Sequence, residues 1–344
     1  GQKFTELVPS NIAGTIPILG IQGSTGAADL RPERQREIET GIDATMLHNR
    51  LNFEGTVYEK RVTDLLLQET LAPTTGFSSL YFNGGSMRNR GIELSLSGVP
   101  VQTSKVTWRT TGTYSMSRCT ILSLPVPAFR PATTINGATF GYTFIQPGAS
   151  CTQIWGRDTL GAEAGDAKLG AIGTPIQRKL ADDNPDFNAS WINTLDYGPL
   201  HLNTLLDGQQ GGVLVNITEY EYDASKTSPD YLVPRHPGDL TGQERQAAFA
   251  KSSRPYIQSV SYLKLREVSL TYDVPEAFAH RIWGGIRSAR LEVSARNLFT
   301  ITPYESTADP EANQIARSAA AGVPWDIWAY PPSRSYYLTI HLGM

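Results

Sequence analysis

The chain has 344 residues, a net charge of −3 and a mean hydropathy of −0.27. No basic field marks a nucleic-acid partner, and no apolar run approaches the ~18 residues of a membrane helix. A strand-built membrane protein stays open, because alternating strands average out as hydrophilic. Glycine (31), proline (22) and tyrosine (15) are prominent, as strands joined by turns require.

Taken in order, residues 1–35 read as a long connection, and period-2 alternation then marks nine strands. The first, near 36–47, sets Ile38, Thr40, Ile42, Ala44 and Met46 against Glu37, Glu39, Gly41, Asp43 and Thr45. After the turn "HNR", the second (51–62) carries Leu51, Phe53, Gly55 and Val57 on one face. The third (88–98) sets Ile92, Leu94 and Leu96 against Glu93, Ser95 and Ser97; the fourth (105–118) sets Trp108, Gly112 and Tyr114 against Thr107, Arg109 and Thr113. The fifth (186–197) turns at "YGPL" into a sixth that starts at His201 and is expected to reach Tyr220, with "DGQQGG" as a bulge. The seventh (259–274), eighth (287–299) and C-terminal ninth follow. The eighth sets Leu291, Val293 and Ala295 against Arg290, Glu292 and Arg296. In "RSYYLTIHLGM" Tyr336, Leu338, Ile340 and Leu342 share one face, Tyr337, Thr339 and His341 the other.

The connections alternate in length. Segments 48–50, 98–105, 197–200 and 275–286 are short, while 63–87, 119–185, 223–258 and 300–333 are long. An up-and-down sheet then gathers every short turn at one end and every long loop at the other, as outer-membrane barrels do with periplasmic turns and extracellular loops. A Greek-key sandwich has no reason to sort its loops this way. The strands match the ~9–11 residues of a tilted membrane strand, and aromatics near their ends fit interfacial girdles. Nine is odd, and an open sheet in hydrocarbon leaves unpaired edges. With Gly1 in place of a leader, the chain is therefore expected to be the C-terminal part of something larger, or to be completed by another chain.

Several segments resemble one family. "LRPERQREIETGIDATMLHNRLNFEGTVYEKRVTDLLL" (30–67) is similar to the late barrel of TonB-dependent outer-membrane receptors, and "NGGSMRNRGIELSLSGVP" (83–100) to its SusC/RagA branch. "SYLKLREVSLTYDVP" (261–275), "SARNLFTITPYESTADPEAN" (294–313) and the closing strand follow in the expected order. The terminal Met344 departs from the usual aromatic end. The resemblance implies an all-β, antiparallel up-and-down transmembrane barrel of 22 strands around a plug. Residues 1–344 would form the C-terminal part of that one domain, in the bacterial outer membrane. It implies active transport of oligosaccharides or peptides, with a SusD-like surface lipoprotein as lid and the TonB complex acting through the absent N-terminal part. No cofactor is implied.

Glu37, Glu39, Asp43, Glu93, Arg109, Arg290, Glu292 and Arg296 are the lumen-facing candidates. They meet water, plug or solute there, or pair among themselves. Loops 119–185 and 223–258 are the better candidates for solute or lipoprotein contact. Cys119 and Cys151 fall in a segment read as loop; they form a disulfide or remain two unpaired small residues. No phosphate loop, zinc pattern or nucleophile elbow occurs. "DDNPD" (182–186) reads as a turn, and 241–251 and 275–283 as short helices. A structural or adhesive surface protein is the second reading. An enzyme on a barrel is a third, and it lacks any converging catalytic set.

Overall fold

The computed structural model describes residues 7–12, 16–21, 24–25, 27–75, 77, 79–131, 139–159, 175–278, 287–304, 309–311 and 323–343. Nine strands make the main sheet: β1 (Arg34–Met46), β2 (Leu51–Thr63), β3 (Ser86–Gln102), β4 (Val106–Ser123), β5 (Pro185–Tyr197), β6 (Leu200–Gly211), β7 (Tyr262–Val274), β8 (Ser288–Ile301) and β9 (Ser335–Gly343). Their order across the sheet is their order in the chain, and every pair is antiparallel. All short turns therefore lie at one end and all long loops at the other, as expected.

Cross-strand register fixes the two faces. On one face Thr40, Val57, Ile92 and Met116 form a row, and Ile42, Gly55, Leu94 and Tyr114 the next. Tyr197, Leu200, Tyr272, Leu291 and Ile340 continue the face across β5–β9 near the short turns. Many of these side chains stay exposed, with Ile42 at 67% and Ile340 at 58%, while Ile92, Tyr114 and Met116 are half-buried. An apolar face left bare in this way is the mark of a wall that meets lipid. Its few polar groups satisfy one another, as hydrocarbon demands. The Trp108 indole donates to Asn193 Oδ1 at 3.1 Å, Thr110 donates to the same oxygen at 2.9 Å, and Trp191 donates to Thr110 at 2.7 Å.

The short turns are tightly specified. Leu47, His48 and Asn49 all have positive φ (54°, 56°, 66°), and Gly198 sits at 56°. Left-handed backbone is costly for residues with a Cβ. The first turn is held from the side, where the Arg50 guanidinium donates to the Val99 and Pro100 carbonyls at 2.7 and 3.0 Å.

The long loops build a layer of their own. Its core joins Phe140, Ile154, Val215, Ile217, Phe249, Tyr256, Val323 and Trp325, residues drawn from several separate loops. A three-stranded sheet of Val213–Asn216, Ile257–Ser259 and Trp325–Asp326 supports it. Two helices complete it. The first, α1 (Ile217–Ala224), is capped by Asn216, and α2 (Gly242–Phe249) by a reciprocal Thr241–Glu244 box.

Three expectations change. Strand six does not reach Tyr220. Gly211 and Gly212, at φ 76° and 79°, turn the chain, and a Cβ at 211 would lie 2.7 Å from the Asp186 carboxylate. Residues 213–216 then join the loop layer, and Asn216 starts a helix where strand was expected. Cys119 lies on β4, because that strand runs to Ser123, while Cys151 lies in the loop beyond. The first 35 residues contain a hairpin, Leu7–Ile12 with Ile16–Ile21. The helix expected at 275–283 is helical at 276–278, and its remainder lies outside the described residues.

Candidate functional site

The polar face of the wall carries all eight expected side chains, but it does not gather them at one point. Glu37, Glu39 and Asp43 lie on β1 opposite Lys60, Tyr58 and Glu54, and all three are exposed. Glu93 stands between Thr56 and Ser115. The other four are paired. Arg109 meets Asp196 at 2.5 Å, Arg290 meets Asp273 at 2.6 Å, Arg296 meets Glu267 at 3.0 Å and Glu292 lies 3.5 Å from His341.

Two of those pairs belong to a continuous belt near the short turns. His201 on β6 bridges Asp196 on β5, at 2.7 Å through Nδ1, and Asp273 on β7, at 3.0 Å through Nε2. Arg109–Asp196–His201–Asp273–Arg290 thus alternates basic and acidic groups across five neighbouring strands. Asp196, His201 and Asp273 escaped the sequence reading. Their signal was alternation on either side of "YGPL", which places Asp196 directly opposite His201.

A second cluster closes the polar face at the long-loop end. Lys264, only 2% exposed, contacts Asp309 and holds Glu311 at 2.5 Å. Arg266 spans Asp207 and Glu311 at 2.6 Å each. The Tyr262 hydroxyl lies 3.1 Å from Glu311. Burial works against the charged form of Glu311, yet Arg266 and Lys264 outweigh it and hold the carboxyl down at about 2. The "DPE" stretch (309–311) is thereby fastened to the wall.

A third cluster is buried in the loop layer. Arg245 from α2 binds Asp223 at 2.7 Å and Asp230 at 2.8 Å, and reaches Glu219 at 3.4 Å. Arg235 adds contacts to Glu219 (3.3 Å) and Asp230 (3.2 Å), and the Tyr256 hydroxyl donates to Asp223 at 3.0 Å. Three acids thus share two guanidinium groups. Burial pushes the Glu219 carboxyl up to about 7, against the pull of Arg245 and Arg235. A disulfide between Cys119 and Cys151, with Cα atoms 5.4 Å apart, ties the loop to β4.

None of these clusters converges on a reacting centre. The face offers fixed charges and hydroxyls along a broad surface, which suits transient contact with a polar solute or with a packed protein element.

A family model described as TonB dependent receptor-like, beta-barrel, matches residues 4–298. TonB-dependent receptor P3 of Formosa agariphila is 26% identical over 99% of this chain and 37% of its own length. TonB-dependent receptor P26 of the same organism is 25% identical over 94% of this chain and 35% of its own length. The chain therefore spans little more than a third of these curated relatives. The RagAB peptide importer in its open-open state superposes with a TM-score of 0.70 at 20% identity, covering all of this chain and 38% of that one. Its closed-closed state gives 0.69. At that identity the likeness speaks for the fold.

Proposed function

The chain belongs to the TonB-dependent receptors, in their β-barrel family, and on that premise we propose that it forms the C-terminal part of the wall and outer loops of a nutrient importer. The strands are outer-membrane strands, with long loops outside and short turns in the periplasm. Residues 1–344 act as one portion of a single barrel domain. The whole protein takes up oligosaccharides or peptides, driven by the TonB complex through a part that lies outside this chain.

The observation that carries this reading is the pairing of a bare apolar face with a charged opposite face on a nine-stranded meander. Such a wall separates lipid from a wet lumen. In that lumen Glu37, Glu39, Asp43 and Glu93 stay available to solute, while the belt through Arg109 and Arg290 steadies whatever element packs inside. The loop layer presents Tyr222, Leu232 and Val233 outward, the last two 72% and 71% exposed. This is the surface proposed for a SusD-like lipoprotein lid. No second sheet covers the apolar face among the described residues, so the adhesive-sandwich reading has no support.

Uptake of labelled oligosaccharides and peptides by cells with and without the gene tests the proposal. The expected result is loss of uptake of one class on deletion, and the same loss when TonB is removed. Uptake that is indifferent to both overturns it.

A further inference from the structure

The apolar face ends abruptly at the long-loop end, and what lies above it is basic. Arg36 on β1, Arg61 on β2 and Arg88 on β3 are direct cross-strand neighbours in a single row. In the next row Glu59, Arg90 and Arg118 stand side by side on β2, β3 and β4. All six share the face of Ile38, Val57, Ile92 and Met116, which line a groove of about 580 Å³ beneath Arg90 and Arg118.

Like charges placed directly opposite on adjacent strands, with Cβ atoms about 5 Å apart, destabilise a sheet. Here three arginines do so in succession. Arg90 has Glu59 at 2.6 Å and Arg118 has Asp186 at 3.0 Å. The triad Arg36, Arg61 and Arg88 has no carboxylate within ion-pair distance among the described residues. Guanidinium groups of this kind bind phosphate oxygens in a planar, bidentate way. The apolar groove begins one row below the triad, edged by Glu59, Arg90 and Arg118, and accepts an acyl chain. In the membrane placement proposed above, the triad's row stands at the level of the outer leaflet's headgroups, where guanidinium groups can meet lipid phosphate.

We propose that this patch binds one phosphate-bearing lipid of the surrounding leaflet, its phosphate on Arg36, Arg61 and Arg88 and an acyl chain in the groove below. The bound lipid relieves the repulsion within the triad and so seals the outer edge of β1–β3. The inference rests on the membrane placement proposed above. Lipid retention is read on purified protein, so its failure leaves the uptake reading standing.

The test uses the native outer-membrane protein that carries this chain, purified in detergent, stripped of lipid and incubated with diphosphorylated lipid A. Native mass spectrometry then counts retained lipid. The wild type is expected to keep one lipid, and a triple Arg36→Gln, Arg61→Gln, Arg88→Gln variant to keep at least tenfold less. The corresponding triple lysine variant, which keeps the charge and loses the bidentate fork, is expected to retain less than wild type and more than the glutamine variant, and Glu37→Gln, on the other face, to bind as wild type. Dephosphorylated lipid A is expected to bind weakly, and inorganic phosphate alone not to be retained. Equal retention by the triple glutamine variant, or equal binding of dephosphorylated lipid, overturns the proposal. Should the variant fail to fold, salt decides on the wild type. Retention is expected to fall at least tenfold between about 0.05 and 1 M NaCl, and salt-independent retention overturns the proposal.

Discussion

The wall and the loop layer answer to different solvents. In the wall, apolar side chains point away from the protein and remain bare, while charges gather on the other face. The loop layer reverses this, with Trp325 at 1% and Val215 at 0% exposed and with charged groups such as Asp223 and Arg245 buried in pairs beside that core. The wall thus owes its shape to backbone pairing and to the lipid it faces, whereas the loop layer is held by its own small core, a buried charge cluster and a disulfide. Stability in the two regions should therefore fail separately, and substitutions can be chosen to show it.

The largest effect is expected from Arg245→Leu. It strands Asp223 without its cation and leaves Asp230 and Glu219 to Arg235 alone, a loss of about 3–5 kcal/mol. Limited proteolysis should open the loops around 217–256, while heat-modifiable migration of the barrel on gels stays unchanged. Simultaneous collapse of both would show that the regions are one cooperative unit.

Leu94→Arg, on the apolar face, is expected to cost the wall about 2–4 kcal/mol if it sits at the bilayer midplane. Glu93→Gln, one residue away on the polar face, should cost about 0.5 kcal/mol or less. Denaturant titration in lipid vesicles checks the pair. Equal costs would break the assignment of faces.

Replacing Cys119 and Cys151 by serine removes a link across 32 residues and should lower loop-layer stability by about 2–4 kcal/mol. Protease nicking near residue 150 should rise, with the wall's melting unaffected.

The smallest and most specific effect concerns pH. Glu219 has a raised folded-state value of about 7, so the folded layer binds the extra proton between the ordinary carboxylate range and about 7. Its contribution is present below about 4.5 and is lost as pH rises through about 7. Loop-layer protection should be up to about 3 kcal/mol greater at pH 5 than at pH 8, and Glu219→Gln should flatten that dependence.

The wall was legible in the sequence because its cause is periodic. Alternation at every second residue defines both faces, and the sorting of long and short connections orders the strands. The loop layer was not legible, because its core uses single apolar residues such as Phe140, Phe249 and Trp325 in segments without a period. Strand six was overextended for a related reason: Val213, Leu214 and Val215 favour extended backbone, and their new partners at 257–259 and 325–326 are far away in sequence. Of the candidate site, the polar face could be read residue by residue. The belt through His201 could not, because it exists only once register sets acid beside base.

In the meander, every strand of the wall has its sequence neighbours as its sheet neighbours. Pairing can therefore advance strand by strand, although a step across a long loop, such as Ser123 to Pro185, closes far more chain than a step across a short turn. The core above it needs residues from 140 to 325 in one place, contacts of high sequence separation that loop-closure entropy slows. The outer layer is therefore expected to become native last, and protection of Trp325 from solvent, timed against that of the wall strands, checks the order.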